Sequence, residues 1–326
     1  MAKLDIIIPH YREPVSIMDP MLGILKLQRN VDFNDFRVLV INDGEDIEMP
    51  DDFGADCPFE VEVISIPHAG VSAVRNKGME YSKAEWVMFC DADDAFLTTI
   101  SIMTFMRYMT EDKVCVCSAF YEESRIWENG NVRMNLVWHA GKDWIFVHGK
   151  AFRRQWLIDN RIFFRDDITT HEDAYFIALT KYHLAKRDAV YINIPLYLWQ
   201  CNPVSVTRVH RNFVLDTYGQ LCRKNSALVE ELLFRGMAKP ANAIVCRTVT
   251  DSYYRFKSDW WDIPENKEKI ADAERWVAWF LRKHADRYFG SSERLRYIRV
   301  PEEDKNAYVE WLEHIVKDVV PHGEEA

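Results

Sequence analysis

Residues 86–94 read WVMFCDADD, a strand-length apolar run that leads directly into a cluster of aspartates. The run Trp86–Cys90 contains no charged residue. A continuous apolar run of this kind is typical of a strand buried on both faces, as in a parallel sheet covered by helices. In such sheets, ligands bind at the carboxyl ends of the strands. The aspartates therefore stand where a binding site is expected.

Three similar runs lie upstream, at Leu4–Ile8, Phe36–Ile41 and Val61–Ile66. Apolar residues at helical spacing separate the first run from the second, and the third from Trp86–Cys90. This alternation predicts an α/β fold with a mostly parallel central sheet flanked by helices. Polar segments follow all four runs: PHYRE at 9–13, NDG at 42–44, HAG at 68–70 and DADD at 91–94.

Beyond these runs, residues 114–208 mix strand and helix patterns, and the chain becomes helical from about residue 212. Pro264 is placed to open a helix that ends at Gly290, and a further helix is expected after Pro301. We therefore predict a C-terminal helical region behind the α/β domain.

Composition narrows the class of protein. A formal net charge of −10 argues against a broad basic surface for nucleic acid or an anionic membrane. The N-terminus lacks a signal-peptide pattern, and no stretch approaches the roughly 20 apolar residues that span a bilayer. Seven cysteines without paired spacing indicate reduced thiols. We accordingly expect a soluble, cytoplasmic protein.

The D-x-D of Asp91 and Asp93 is the strongest chemical signal. Alternate residues at a strand end point the same way, and carboxylates suit Mg²⁺ or Mn²⁺. The alternative is a solvated acidic turn. Asp43 and Arg75 likewise each have two alternative interpretations. Asp43 either supports a turn or accepts hydrogen bonds from a nucleoside. Arg75 pairs with phosphate or base, or forms a surface ion pair.

The ordered set of motifs resembles family 2 glycosyltransferases of the GT-A fold. The resemblance covers roughly residues 3–210 and rests on segments that occur in the family's order. They are IIIPHYRE, VINDGE, HAGVSAVRNKG, FCDADD, HGKAFRRQWLIDNRIFF, HEDAYF and WQCNPVSVTR. The resemblance implies a GT-A domain over 1–211, with a donor half (1–113) and an acceptor and catalytic half (114–211), followed by a helical region (212–326).

The resemblance also implies roles for individual residues. The donor-binding residues would be Pro9, Tyr11, Glu13, Asp43, His68, Arg75, Asp91, Ala92, Asp93, Ser205, Thr207 and Arg208. Asp93 and Asp91 would hold Mn²⁺ or Mg²⁺ with the diphosphate, and His210 is a further candidate ligand. Asp173 would be the catalytic base, with Glu172 beside it. An alternative for these two acids is a helix N-terminus capped by Thr170.

Two departures from the family pattern bear on the donor. Arg12 stands where the family has Asn after Tyr, and His68 stands where Asn is common. A UDP-sugar is favoured as the usual donor of the family, but the base that is recognised stays open. Aromatic residues around His139 and His148 either pack in the core or stack on a sugar.

The predicted function is a metal-dependent, inverting transfer of a sugar from a nucleotide-sugar to an acceptor hydroxyl. Three classes of acceptor remain as alternatives: a saccharide or lipid-linked precursor of a surface polymer, a hydroxylated nucleic-acid base, and a protein side chain. A nucleotidyltransferase would need a glycine-rich phosphate loop after the first strand, and IIIPHYREP has none. A non-catalytic nucleotide-sugar binding protein would be expected to lose D-x-D or Glu172-Asp173.

Overall fold

The computed structural model describes residues 2–46, 48–128, 131–202, 213–258, 261–290 and 300–323. The chain forms two compact units, Met1–Arg208 and Val209–Ala326. Within the described ranges, none of the helices combines the length and apolar character that crossing a membrane requires. The donor and acceptor halves assigned to 1–113 and 114–211 stay a prediction.

The first unit is built on one mixed sheet. Its described strands are β1 (Leu4–His10), β2 (Phe36–Asp43), β3 (Glu60–Ile66), β4 (Trp86–Phe89), β5 (Ala95–Phe96), β6 (Cys115–Glu128), β7 (Asn131–His139), β8 (Lys150–Arg153) and β9 (Ala189–Trp199). Their order across the sheet is β3-β2-β1-β4-β8-β6-β9-β5, and β7 pairs with β6. The first four strands are parallel to one another. The four apolar runs of the sequence thus form the predicted parallel strands.

Helices cover this sheet and make up the second unit. Those of the first unit are α1 (Asp19–Lys26), α2 (Val71–Tyr81), α3 (Ser101–Tyr108), α4 (Arg154–Asp159) and α5 (Glu172–His183). Among the described residues of the second unit, the helices are α6 (Phe213–Asp216), α7 (Tyr218–Phe234), α8 (Ala238–Phe256), α9 (Lys267–Lys283), α10 (Ala285–Gly290) and α11 (Lys305–Lys317). The predicted α/β domain with a helical C-terminal region is therefore confirmed.

Helix α2 packs closely on β1 because Gly78 has no side chain. A Cβ at this position would collide with the side chain of Ile7, which is fully buried in β1. The close approach fixes α2 against the sheet, so that the N-terminus of α2 lies at the carboxyl ends of the parallel strands. Gly78 thereby helps to position Arg75, one turn earlier in the same helix.

One helix boundary was predicted wrongly. The chain from Pro264 to Gly290 does not form a single helix, since a short 3-10 turn at Pro264–Asn266 precedes α9, which ends at Lys283. The break falls at His284, whose buried imidazole is hydrogen-bonded to the Ser226 hydroxyl of α7 at 3.0 Å. This side-chain contact to another helix lies at the point where α9 ends and α10 begins.

Candidate active site

The loops that follow β1, β2 and β3 lie together at the carboxyl ends of these strands. Since these strands run parallel in adjacent positions, their carboxyl ends lie side by side. The ring of Tyr11, after β1, stacks on the ring of His68, after β3, with centroids 4.4 Å apart. Partly exposed stacked rings at the carboxyl ends of strands are suited to contact a planar nucleoside base.

Asp43 organises the loop that carries His68. Its carboxylate accepts hydrogen bonds from the backbone N–H groups of Ala69 at 2.7 Å and Gly70 at 3.0 Å, and lies 2.9 Å from His68 Nδ1. Gly70 has a φ of 85°, a left-handed conformation that glycine adopts without strain. Asp43 thus supports a loop, as one of the two sequence alternatives held, and its contact with a nucleoside stays a prediction.

The loop after β1 has its own hydrogen bonds. Glu13 accepts one from the backbone N–H of Tyr11 at 2.9 Å, and the buried ring of His10 lies between Asn42 and the Glu13 carbonyl. Pro9 is partly buried at the end of β1. Sequence reasoning did not single out His10 and Asn42, although both stand in polar segments that follow apolar strands.

Arg75 brings the two acidic motifs together. Its guanidinium is 4% exposed and donates to Asp91 Oδ1 and to Glu172 Oε1, both at 2.8 Å. Burial lowers the pKa of Arg75, but the charges of Asp91 and Glu172 outweigh this and raise it. Burial raises the pKa of Asp91, and Arg75 overcomes that effect and holds it below the usual range. Arg75 and Asp91 are therefore charged together at neutral pH.

Asp173 lies beside this group on the first turn of α5. Burial raises the pKa of its carboxyl to about 7, and the charge of Glu172 adds to the increase while Arg75 opposes it. Asp173 Oδ1 accepts a hydrogen bond from the backbone N–H of Ala174 at 2.6 Å. A carboxyl that titrates near neutral pH is suited to general acid–base chemistry.

Thr170 does not occupy the N-cap position of α5, contrary to the alternative offered by the sequence. His171 occupies the N-cap position, in a left-handed conformation with a φ of 67°, and makes no side-chain capping bond. Left-handed backbone is uncommon outside glycine and is found more often at functional sites. The two acids nevertheless stand in the first helical turn, where the helix dipole favours negative charge.

Two aspartates of the turn after β4 form a cluster with His148 that the D-x-D pattern did not reveal. Ligand atoms of Asp91, Asp94 and His148 all lie within 4.8 Å of one another. Asp94 is fully buried, and burial followed by the charges of Asp91 and Asp93 raises its pKa well above the usual range. Two carboxylates and an imidazole are a donor set that suits divalent metals such as Mn²⁺ or Zn²⁺.

Tyr197 on β9 is hydrogen-bonded to this turn through its hydroxyl. Its hydroxyl donates to Asp94 Oδ2 at 2.6 Å and accepts from the backbone N–H of Asp91 at 3.3 Å. Asp94 Oδ1 accepts from the backbone N–H of Gln200 at 2.9 Å. The aspartate turn is thus tied to the end of β9, more than a hundred residues later in the chain.

The remaining predicted site residues are placed as follows. Asp93 is partly exposed and is not among the three residues of the cluster, and Ala92 packs in the hydrophobic core. The predicted donor contacts Ser205, Thr207 and Arg208, and the predicted ligand His210, lie outside the described residues. The binding and catalytic roles of all these residues stay predictions.

The chain is similar in sequence to known proteins. The sequence model of the family described as glycosyl transferase family 2 matches residues 5–186. The chain is 27% identical over 229 residues to YibD of Escherichia coli (strain K12), an uncharacterized glycosyltransferase, with 64% of each protein covered. It is 22% identical over 223 residues to EpsH of Bacillus subtilis (strain 168), which is named as a glycosyltransferase, again with 64% of each covered.

A solved structure shares the fold. TarS 1-349 of S. aureus, in complex with UDP-GlcNAc, has a TM-score of 0.51 at 15% identity, covering 97% of this chain and 81% of that one. At this level of identity the likeness concerns the fold alone. The chain spans about 64% of the length of the curated relatives it matches.

Proposed function

This chain belongs to glycosyl transferase family 2, with the family model matched over residues 5–186, and we propose that it is a metal-dependent, inverting glycosyltransferase. The observation that carries the proposal is the double hydrogen bond of Arg75 to Asp91 and Glu172. It joins the aspartate turn after β4 to the acidic first turn of α5, so that metal ligands and a base belong to one site.

The donor in this proposal is a nucleotide-sugar, with a UDP-sugar favoured. The stacked rings of Tyr11 and His68 offer a surface for the base, and their loop is held by Asp43. Support comes from the TarS structure, which binds UDP-GlcNAc on the same fold. The ribose and the diphosphate then extend toward Asp91 at the neighbouring strand end.

A divalent ion fits the site by the chemistry of its donor set. Asp91 belongs both to the predicted pair with Asp93 and to the cluster with Asp94 and His148. When bound, the ion supplies positive charge that offsets the negative charge of the departing diphosphate. The experiment below decides between Asp93 and Asp94 as the partner of Asp91.

Asp173 acts as the base in this proposal. Its carboxylate removes the proton of the acceptor hydroxyl as the acceptor oxygen bonds to the anomeric carbon, and the bond from that carbon to the diphosphate breaks. Attack from the face opposite the diphosphate inverts the anomeric centre. Proton removal by a positioned base typically contributes about 10²–10⁴-fold to the rate. The charge of Glu172 raises the pKa of Asp173 and that of Arg75 lowers it.

The test is a thermal-shift panel of nucleoside diphosphates, each with and without Mn²⁺, on the wild type and on Asp91→Asn, Asp93→Asn and Asp94→Asn. A ligand at 100 times its Kd stabilises the fold by about 2.7 kcal/mol. We expect a shift with UDP that requires the metal, and the variant that abolishes the metal effect identifies the second ligand. A wild type that no diphosphate stabilises contradicts the proposal.

A further inference from the structure

Four aromatic side chains near the aspartate turn form a continuous cluster of rings, here called the aromatic wall: the fully buried Phe120, and His139, Phe146 and Trp199. The rings of Phe120 and His139 are stacked with centroids 4.5 Å apart, and Phe146 lies 5.1 Å from Trp199 and 5.4 Å from His139. Phe146 and Trp199 are partly exposed. The wall is therefore more than hydrophobic core.

The aromatic wall directly contacts His148, one of the proposed metal ligands. The ring of His148 stacks on Trp199 at 4.8 Å, and its Nδ1 lies 3.5 Å from Asp94 Oδ2. Lys150, next to this loop, donates to the carbonyls of Phe146 and His148 at 2.7 and 3.3 Å. These contacts connect the wall to the aspartate turn.

Two carboxylates border the wall. His139 lies between Glu122, at 2.8 Å, and Asp143, at 3.2 Å, and the side chains of all three are partly exposed, by 16%, 22% and 19% respectively. Carboxylate oxygens that reach the surface can accept hydrogen bonds from ligand hydroxyls.

We propose that the aromatic wall with Glu122 and Asp143 is an acceptor subsite for a pyranose saccharide, an inference that rests on the proposed function. The C–H face of a pyranose is apolar and packs on aromatic rings, while its hydroxyls donate to carboxylates. A nucleic-acid acceptor fits this surface poorly. The two carboxylates and the net charge of −10 repel a phosphate backbone.

The experiment measures saccharide binding directly, by saturation-transfer difference NMR with a panel of methyl pyranosides in the presence of UDP and Mn²⁺. Trp199→Leu keeps an apolar side chain but removes the ring, whereas Trp199→Phe restores an aromatic face. Trp138 on β7 provides a matched control, because it is 48% exposed and adjacent residues of a strand point to opposite faces. Asp143→Asn is a second, independent variant.

We expect Trp199→Leu to raise the Kd of the best-binding pyranoside by about 3- to 10-fold, since an aromatic contact contributes about 0.5–1.5 kcal/mol. Trp199→Phe should recover most of the affinity, Trp138→Leu should bind as the wild type, and Asp143→Asn should weaken binding. The inference is overturned if Trp199→Leu and Asp143→Asn bind as the wild type, or if Trp138→Leu weakens binding equally. A hydroxymethylcytosine oligonucleotide that binds while every pyranoside fails also overturns it.

The UDP thermal shift separates this inference from the proposed function. If UDP stabilises the wild type but no pyranoside binds it, the donor site stands and the saccharide subsite is wrong. If UDP fails to stabilise the wild type, the proposed function itself is contradicted. Circular dichroism of each variant confirms that a loss of binding does not reflect a loss of fold.

Discussion

Arg75 and Asp91 form a partly buried ion pair with a distance of 2.8 Å between Nη2 and Oδ1, and this pair connects helix α2 to the turn after β4. The second guanidinium nitrogen bonds to Glu172 on α5. Only an arginine supplies two such donors in a fixed planar fork. The pair therefore sets both the position of the aspartate turn and the charge around Asp173.

Replacement of Arg75 by Met should destabilise the protein by at most roughly 3–5 kcal/mol, because it leaves two partly buried carboxylates, 32% and 13% exposed, without their counter-charge. Urea unfolding followed by circular dichroism measures the loss. Arg75→Lys keeps the charge but not the fork, and we expect a smaller loss of stability together with weaker metal-dependent UDP binding. An Arg75→Met variant as stable as the wild type would show that the ion pair does not form in solution.

The raised pKa of Asp173 predicts how the transfer rate depends on pH. A base must be deprotonated to act, so kcat/KM should rise with pH through an apparent pKa near 7 and level off above it. Asp173→Asn should lose about 10²–10⁴-fold and show no such rise. Initial rates of transfer between pH 5 and pH 9 test this, and an Asn variant with the wild-type profile would exclude Asp173 as the base.

The same shift predicts a pH-dependent difference in stability. The pKa of Asp173 is about 7 in the folded protein, whereas an aspartate in an unfolded chain titrates near about 3.9. Ionisation therefore favours unfolding, and the wild type loses stability relative to Asp173→Asn as the pH rises from about 4 to about 7, with no further change above. Urea unfolding of both proteins in EDTA at pH 5 and pH 8 tests this. A difference that shrinks as the pH rises would contradict the shift.

The sequence predicted the parallel strands well because each is a local apolar run that ends in polar residues, as at Trp86–Cys90. It did not predict Asp94 and His148 as neighbours of Asp91. The D-x-D pattern selects alternate residues, and so it favoured Asp93 over Asp94. The buried position of Asp94 depends on Tyr197 and Gln200, which reach it only through the pairing of β5 with β9. Pairings over such a separation have no local sequence signal.

Tyr197 should position the aspartate turn through its hydroxyl. Tyr197→Phe removes the hydrogen bond to Asp94 and the acceptor for the Asp91 N–H, and a buried polar group without its partner costs about 1–3 kcal/mol. We expect that loss of stability and a weaker effect of Mn²⁺ on UDP binding. Tyr81→Phe removes a hydroxyl from a tyrosine that is 45% exposed and serves as the control. Equal behaviour of the two variants would contradict the role of Tyr197.

Arg12 shows how a departure from a family pattern can be interpreted physically. The family has Asn at this position, and Arg12 adopts a φ of 61°, in the left-handed region. Asn enters this region more readily than other residues with a Cβ, for which it costs roughly 1–2 kcal/mol. The contacts that Arg12 makes are weak, since its ion pair with Asp46 is 3.9 Å long and both side chains are largely exposed.

Arg12→Asn should therefore stabilise the protein by roughly 0.5–1 kcal/mol, because the gain in backbone energy exceeds the loss of an exposed ion pair. Thermal unfolding measures the increase in Tm. Arg12→Ala removes the same side-chain contacts without the tolerance of Asn for left-handed backbone, so it should not stabilise. If Ala and Asn raise the Tm equally, the gain comes from removing the arginine side chain and not from relief of strain. If neither raises it, the contacts of Arg12 with Asp46 and with the ring of Tyr11, 5.0 Å away, already offset the strain.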